Sequence, residues 1–258
     1  MTDMTRNPIG FRTLFLKEVK RFTNVLGQTV GAPIITSLLY LLVFAQAMQG
    51  RAPVYEGISY TEFLIPGLIM MTVIQNAFAN SSSSLIQSKV MGNLVFVLLA
   101  PIGAWEWFAA YVGAAVLRAL LVSVAMLAVT LPFVPLPFAQ PLVLLAVFLL
   151  ASSGLAAFGV IVGLVSQKFD HIAAFTNFFI TPLSFLSGVF YSVHALPELW
   201  DRVSHFNPFF YMIDGFRYGF FGVADVPVWQ SLMWCAAFTA VMSAIALWML
   251  MTGYKLRK

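Results

Sequence analysis

Charge is scarce in this chain: Asp, Glu, Lys and Arg make up 9% of its 258 residues, where a soluble domain carries about a quarter. That shortage excludes an ordinary soluble fold. The single cysteine, Cys235, excludes an intrachain disulfide and a cysteine-based zinc site. There is no G-x-x-x-x-G-K-[ST] segment, so the chain has no phosphate loop to cradle ATP. There is no H-E-x-x-H and no histidine pair at ligand spacing, and no metal site is expected. The ten carboxylates fall in tails, connections or span ends (Glu18, Glu62, Glu106, Asp170, Asp214 and Asp225 among them) and none near a span centre. Carriers driven by an ion gradient need ionisable groups at mid-membrane, so their absence argues against that energy source.

What is abundant is apolar sequence: 60% of residues are hydrophobic and mean hydropathy is +0.89. Runs of about twenty apolar residues cross a hydrocarbon core roughly 30 Å thick. Six such runs lie at 27–48, 62–80, 107–131, 140–165, 172–190 and 228–251. The second is interrupted by Pro66, Gly67, Gln75 and Asn76, and the fifth is short and contains Pro182. The expected fold is an all-α polytopic membrane protein with six transmembrane helices. Of the 14 basic residues, five precede the first span, Lys89 and Lys168 lie in later connections on the same side, and Lys255, Arg257 and Lys258 end the chain. Only Arg51, Arg202 and Arg217 fall on the other side. The positive-inside rule then places both termini in the cytoplasm. The basic balance is a topology signal, and no nucleic-acid partner is implied.

Residues 1–26 form a separate unit. Phe11, Phe15, Val19, Phe22 and Leu26 recur at helical spacing on one face, with Lys17, Lys20 and Asn24 opposite. This is the pattern of an amphipathic helix lying in the membrane interface. Residues 192–222 predict two short extracytoplasmic half-helices before the last span. Pro197 is placed to start the first, and Asn207 caps the second with Pro208 in its first turn. Asp214 and Arg217 are three apart, positioned to pair on a surface. His205 and Asp214 fall on different half-helices with no Ser or Cys nucleophile beside them, so no catalytic residue is expected. The charges of the stretch "HFNPFFYMIDGFR" read as the wet outer rim of a helix pair.

This layout resembles the permease of ABC-2 type transporters over nearly the whole chain. The segment 182–222 carries, in order, the Pro-containing fifth span, Ser187–Gly188, Leu196–Pro197, Asn207–Pro208 and Arg217. A second match lies at 88–104, where Gly92, Leu94, Leu98, Leu99 and Pro101 follow the family's coupling-helix pattern. Family members commonly place charged residues before that glycine, and this chain has only Lys89 there. The resemblance implies a 27–258 transmembrane domain in a bacterial inner membrane, exporting a glycan, lipid or drug-like substrate. It implies a second permease chain in a homodimer, and two copies of a separate ABC ATPase that binds ATP and Mg. No cofactor is expected on this chain, which would be a permease and not an enzyme. Lys89, Gly92, Asn93, Leu94, Leu98 and Pro101 become the candidate ATPase-coupling residues.

Gln75, Asn76, Asn80, Arg118 and Asn177 are candidates for the substrate path, and each has a second reading as a hydrogen-bonding contact between spans. Arg118, the one charge inside a span, fits either an anionic head group or a neighbouring helix. The run Ser81–Ser84 fits either a loop or a polar vestibule wall. The small residues Gly159 and Gly163 mark a close helix contact. Two competing readings remain: an intramembrane lipid-modifying enzyme with an outer-face site of His194, Asp201, His205 and Asp214, and a scaffold that transports nothing.

Overall fold

A computed structural model describes residues 7–47 and 55–255. Residues 1–6 of the expected interfacial segment, Arg51, Arg257 and Lys258 lie outside the described residues. The first helix, α1 (Pro8–Thr23), starts where the Asn7 side chain accepts the Gly10 N–H at 2.8 Å, with Pro8 in the first turn. A π-helical turn, Gly27–Gly31, leads into α2 (Ala32–Ala47). Helix α3 (Tyr60–Val90) opens with a reciprocal capping pair between Ser59 and Glu62. Then follow α4 (Leu94–Leu99), α5 (Ala104–Thr130) and α6 (Pro141–Val165).

Among the described residues five helical segments are long and apolar enough to cross a membrane: Gly27–Ala47, Tyr60–Val90, Ala104–Thr130, Pro141–Val165 and Val228–Thr252. The expected span at 172–190 takes another form. It is built from α7 (Phe169–Phe175), a π turn (Thr176–Ile180) and α8 (Thr181–Phe185). Pro182 cannot donate to the carbonyl four residues back and its ring crowds it, which the wider π turn accommodates. The helix ends at Phe185, and Gly188 at φ +75° turns the chain.

The second expected span is also revised. Helix α3 runs for 31 residues, about 46 Å at 1.5 Å per residue, well beyond a hydrocarbon core. The serine run is therefore not a loop but part of α3, with Ser81, Ser82 and Ser84 buried. Helix α3 is the hub of the bundle, packed against α2, α5, α6 and α10. Its closest neighbour is α6, because Gly159 and Gly163 bring the two backbones together. A Cβ on Gly159 would stand 2.5 Å from the Phe78 carbonyl oxygen. By contrast, α2 buries only Ser37 within the chain.

After the 3-10 turn Val193–Ala195 come α9 (Glu198–His205), α10 (Pro208–Phe221) and the last span α11 (Val228–Thr252). The Asn207 side chain accepts the Phe209 N–H at 3.0 Å at the head of α10. Helix α10 does not lie along a surface. It inserts into one end of the bundle between α3, α6 and α11. Asp214 and Arg217 are accordingly 0% and 1% exposed, which overturns the expected surface pair.

Candidate functional site

The two ends of α3 carry different chemistry. At its C-terminal end Gly92, at φ +73°, breaks the helix, and Ala100 takes the extended conformation that a following proline imposes, so Pro101 stops α4. The coupling segment expected at 88–104 is therefore a six-residue helix between the end of α3 and the start of α5. Leu94 faces inward onto a cluster with Leu14, Leu85, Trp107, Leu164 and Leu250, and Leu98 packs at its edge. Asn93 precedes the helix without a side-chain capping bond. The opposite side of α4 is bare: Phe96 is 72% and Leu99 77% exposed, with Val90, Met91 and Val95 beside them. An open groove of about 370 Å³ runs between Gly92, Leu94, Leu98 and the end of α6.

Three polar ties hold this hairpin. Lys89 Nζ donates to the Leu164 carbonyl and, at 3.1 Å, to that of Ser166. It thus satisfies carbonyls that the end of α6 leaves open, as cations at helix C-termini do. The Asn7 side chain donates to the Pro101 carbonyl at 3.0 Å. Glu106 accepts the Asn7 N–H with one oxygen and the Gly103 N–H, at 2.9 Å, with the other. The starts of α1 and α5 are joined through that one carboxylate, and the Asn7 side chain reaches the end of α4 at Pro101.

A second site runs along α3. Thr72, Asn76, Asn80 and Ser83 lie on one face of the helix. Thr72 meets Ser37 of α2 at 3.1 Å. Asn76 Oδ1 accepts from Arg118 Nη2 at 2.9 Å and Nε at 3.2 Å. Asn80 accepts from Arg21 at both its side-chain and backbone oxygens, at 2.8 and 2.7 Å, and Ser83 from the same guanidinium at 3.3 Å. The structure thus gathers Asn76, Asn80 and Arg118. Gln75 is half-buried at the next position, and Asn177 is exposed in the π turn, away from these bonds.

Sequence reasoning missed Glu18 and Arg21 as site residues. Glu18 is 0% exposed and pairs with Lys17 at 2.8 Å and Arg21 at 3.2 Å. The buried line of α1 is Leu14, Glu18 and Phe22, while Leu26 is 48% exposed. The apolar stripe is rotated because two cations neutralise the carboxylate and let it turn into the bundle, where α1 packs on α5. A lone acid at i+4 from Leu14 and i−4 from Phe22 was the available signal.

At the other end of α3 the polar groups are engaged by the protein, apart from the Arg217 Nε, which is buried without a hydrogen-bond partner among the described residues. Arg217 lies 3.8 Å over the Phe63 ring and donates to the Gly188 carbonyl at 2.9 Å. Asp214 accepts the Asp225 and Val226 N–H groups at 2.8 and 3.2 Å. Burial pushes its carboxyl up to about 6, against those two donors and Arg217, which pull it down. Asp225 accepts from Tyr55, Ser192 and the Val193 N–H, and burial pushes the Tyr55 phenol above its ordinary value. His205 bonds to Asp201 of its own helix, and His194 to the Asp225 carbonyl. His205 and Asp214 are not brought together, and Pro197 only begins α9. Among the described residues no three His, Cys, Asp or Glu side chains form a metal-binding group. These contacts fasten loops to the bundle.

A helical hub wrapped by apolar spans, with an exposed apolar hairpin at one end, defines a multi-pass membrane protein. Residues 10–221 match the ABC-2 type transporter family, and the chain belongs to it. It is an ABC-2 type transport permease, and the family implies an ABC ATPase partner. The inner membrane transport permease YadH of Escherichia coli (strain K12) is 38% identical over 221 residues, covering 85% of this chain and 86% of the relative. Nodulation protein J of Sinorhizobium fredii (strain NBRC 101917 / NGR234) is 28% identical over 197 residues, covering 71% and 69% respectively.

Proposed function

We propose that the chain is the membrane subunit of an ATP-driven exporter in a bacterial inner membrane, with both termini cytoplasmic. A separate ABC ATPase hydrolyses ATP with Mg and docks on α4. Two permease chains and two ATPase subunits form the working unit, and the permeases enclose the path of a glycan, lipid or drug-like substrate. The α7–α8 segment completes the sixth crossing in that assembly. The observation that carries the reading is the apolar row of Phe96, Leu99 and Val95, left bare on a hairpin whose other side is anchored by Leu94 and by the Lys89 and Glu106 ties. An exposed apolar row on a rigid mount is what a partner surface requires. Lys89 serves in that mount, not in contact with the ATPase, since its ammonium is turned onto α6.

A push on α4 reaches the bundle by two routes. The Asn7–Pro101 and Glu106 bonds carry it to α1 and α5, and Lys89 carries it to α6. The test is co-purification of the permease with its ATPase, comparing wild type with Phe96→Asp/Leu99→Asp. Loss of ATPase from the variant, at unchanged permease yield, is expected. Retention of a fully active ATPase would remove α4 as the docking site.

A further inference from the structure

The bare side of α4 is flanked by two grooves of unlike chemistry. Toward α1 lies an apolar one of about 370 Å³, walled by Ile9, Leu14, Phe96, Val97 and Ile102. Its one charged side chain is Lys17, already paired with Glu18. Toward α6 lies the groove described above, and two half-buried lysines, Lys89 and Lys255, line it. Their charges repel one another, and no Asp or Glu lines the groove with them. Lys89 is turned onto the Leu164 and Ser166 carbonyls, which offer only the partial charge of a helix end. Lys255 makes no ion pair among the described residues, and its ammonium lies 5.9 Å over the ring of the neighbouring Tyr254. Its backbone is left-handed, at φ +60°, a conformation that costs a residue with a Cβ. With Gly253 at φ +70°, it folds the end of α11 so that Lys255 lines the groove.

We propose that the groove between α4 and the end of α6 receives an aspartate or glutamate side chain of the ABC ATPase, which pairs with Lys255. This rests on the docking reading above and names the chemistry of the partner at that site. The groove is continuous with the apolar row of α4, since Val90 and Val95 are exposed and also line it. A partner seated on Phe96, Leu99 and Val95 therefore closes over both lysines and takes water from them. A cation desolvated in an interface needs an opposite charge beside it, or its hydration is lost without return. The chain supplies no carboxylate there, so the partner must. Lys89 stays on the α6 carbonyls and adds its field to the groove. The two grooves also fix the orientation of the ATPase: an acidic group fits only the α6 side of the row and an apolar group the α1 side.

The complex of full-length permease and its co-purified ATPase, in nanodiscs of zwitterionic lipid, is treated with a carbodiimide, which joins a lysine amine to a carboxylate where the two touch. A peptide linking Lys255 to an Asp or Glu of the ATPase is expected by mass spectrometry. In Lys255→Arg the link should vanish while the ATPase stays bound, because arginine keeps the charge but forms no such amide. Lys255→Glu should weaken ATPase binding about tenfold or more, and Lys20→Glu, on the exposed face of α1, should leave it unchanged. Absence of the Lys255 link overturns the proposal, as does wild-type affinity in Lys255→Glu. An equal loss in Lys20→Glu overturns it too, by showing diffuse surface charge. If Lys255→Glu weakens binding only when anionic lipid is added, the groove belongs to lipid headgroups and the proposal falls. Should Lys255→Glu fail to fold, wild type against Lys255→Arg decides alone. Loss of ATPase from Phe96→Asp/Leu99→Asp with no Lys255 link removes only the acidic contact, whereas retention in that variant removes docking at α4.

Discussion

Alanine in place of Gly159 forces α6 away from α3. The added Cβ would lie 2.5 Å from the Phe78 carbonyl oxygen and 3.1 Å from Ser81 Cβ. Ordinary contact begins near 3.4 Å, so the two helices must part by almost an ångström. The obstacle is backbone, which cannot rotate aside as a side chain does. Overpacking of this kind costs about 1–3 kcal/mol, and the better helix propensity of alanine returns about 1 kcal/mol. The net loss is therefore about 0–2 kcal/mol, against a gain of up to about 1 kcal/mol at an unobstructed glycine. Gly31, with nothing within 4 Å of its Cβ position, is the control: Gly31→Ala should be neutral or slightly stabilising. The buried thiol of Cys235 supplies the readout, since a thiol-reactive dye reports its exposure as the bundle opens on heating. A midpoint for Gly159→Ala equal to that of Gly31→Ala would refute the close contact between α3 and α6.

Glu18→Gln leaves Lys17 and Arg21 without their carboxylate. Breaking a fully buried pair costs about 3–5 kcal/mol, but solvent screens the 44% exposed Lys17 and 21% exposed Arg21. About 1–2 kcal/mol is therefore expected in the same dye assay, and an unchanged midpoint would mean that the pairs contribute nothing. Asp214 sets a pH dependence. Its carboxyl is raised from 3.8 to about 6, so the folded state holds the proton more tightly than the unfolded state. That contribution is complete below about pH 4 and is lost as pH rises through about 6, roughly 3 kcal/mol in all. Melting measured from pH 4 to 7 should show this fall in wild type and a flatter profile in Asp214→Asn; parallel profiles would exclude Asp214 as its source. Lys89→Met should leave the Leu164 and Ser166 carbonyls open and loosen the α4 hairpin, read as faster amide exchange across 88–100 with the rest of the bundle unchanged. Uniform exchange would deny Lys89 its role as a tie.

The sequence by itself determined the elements set by local chemistry and by solvent. Apolar length marked four of the long helices closely, because about twenty residues without charge have one stable environment. The Asn207 cap was equally legible, since it acts within a few residues of chain, and the family pattern around Gly92 and Pro101 pointed to the α4 hairpin. Only the tertiary structure decided which side of each element is covered. Asp214 and Arg217 read as a surface pair until α10 was seen to insert between α3 and α6. Glu18 read as a tail residue until α1 was seen to turn it into the bundle against α5. Ser81–Ser84 left two readings open until α3 proved long enough to contain them. Arg21 and Arg118 are 97 residues apart in the chain, and no local pattern joins them. They come near one another because Asn80 accepts from the one and Asn76 from the other, one turn apart on α3, and only the packing of the helices makes that juxtaposition.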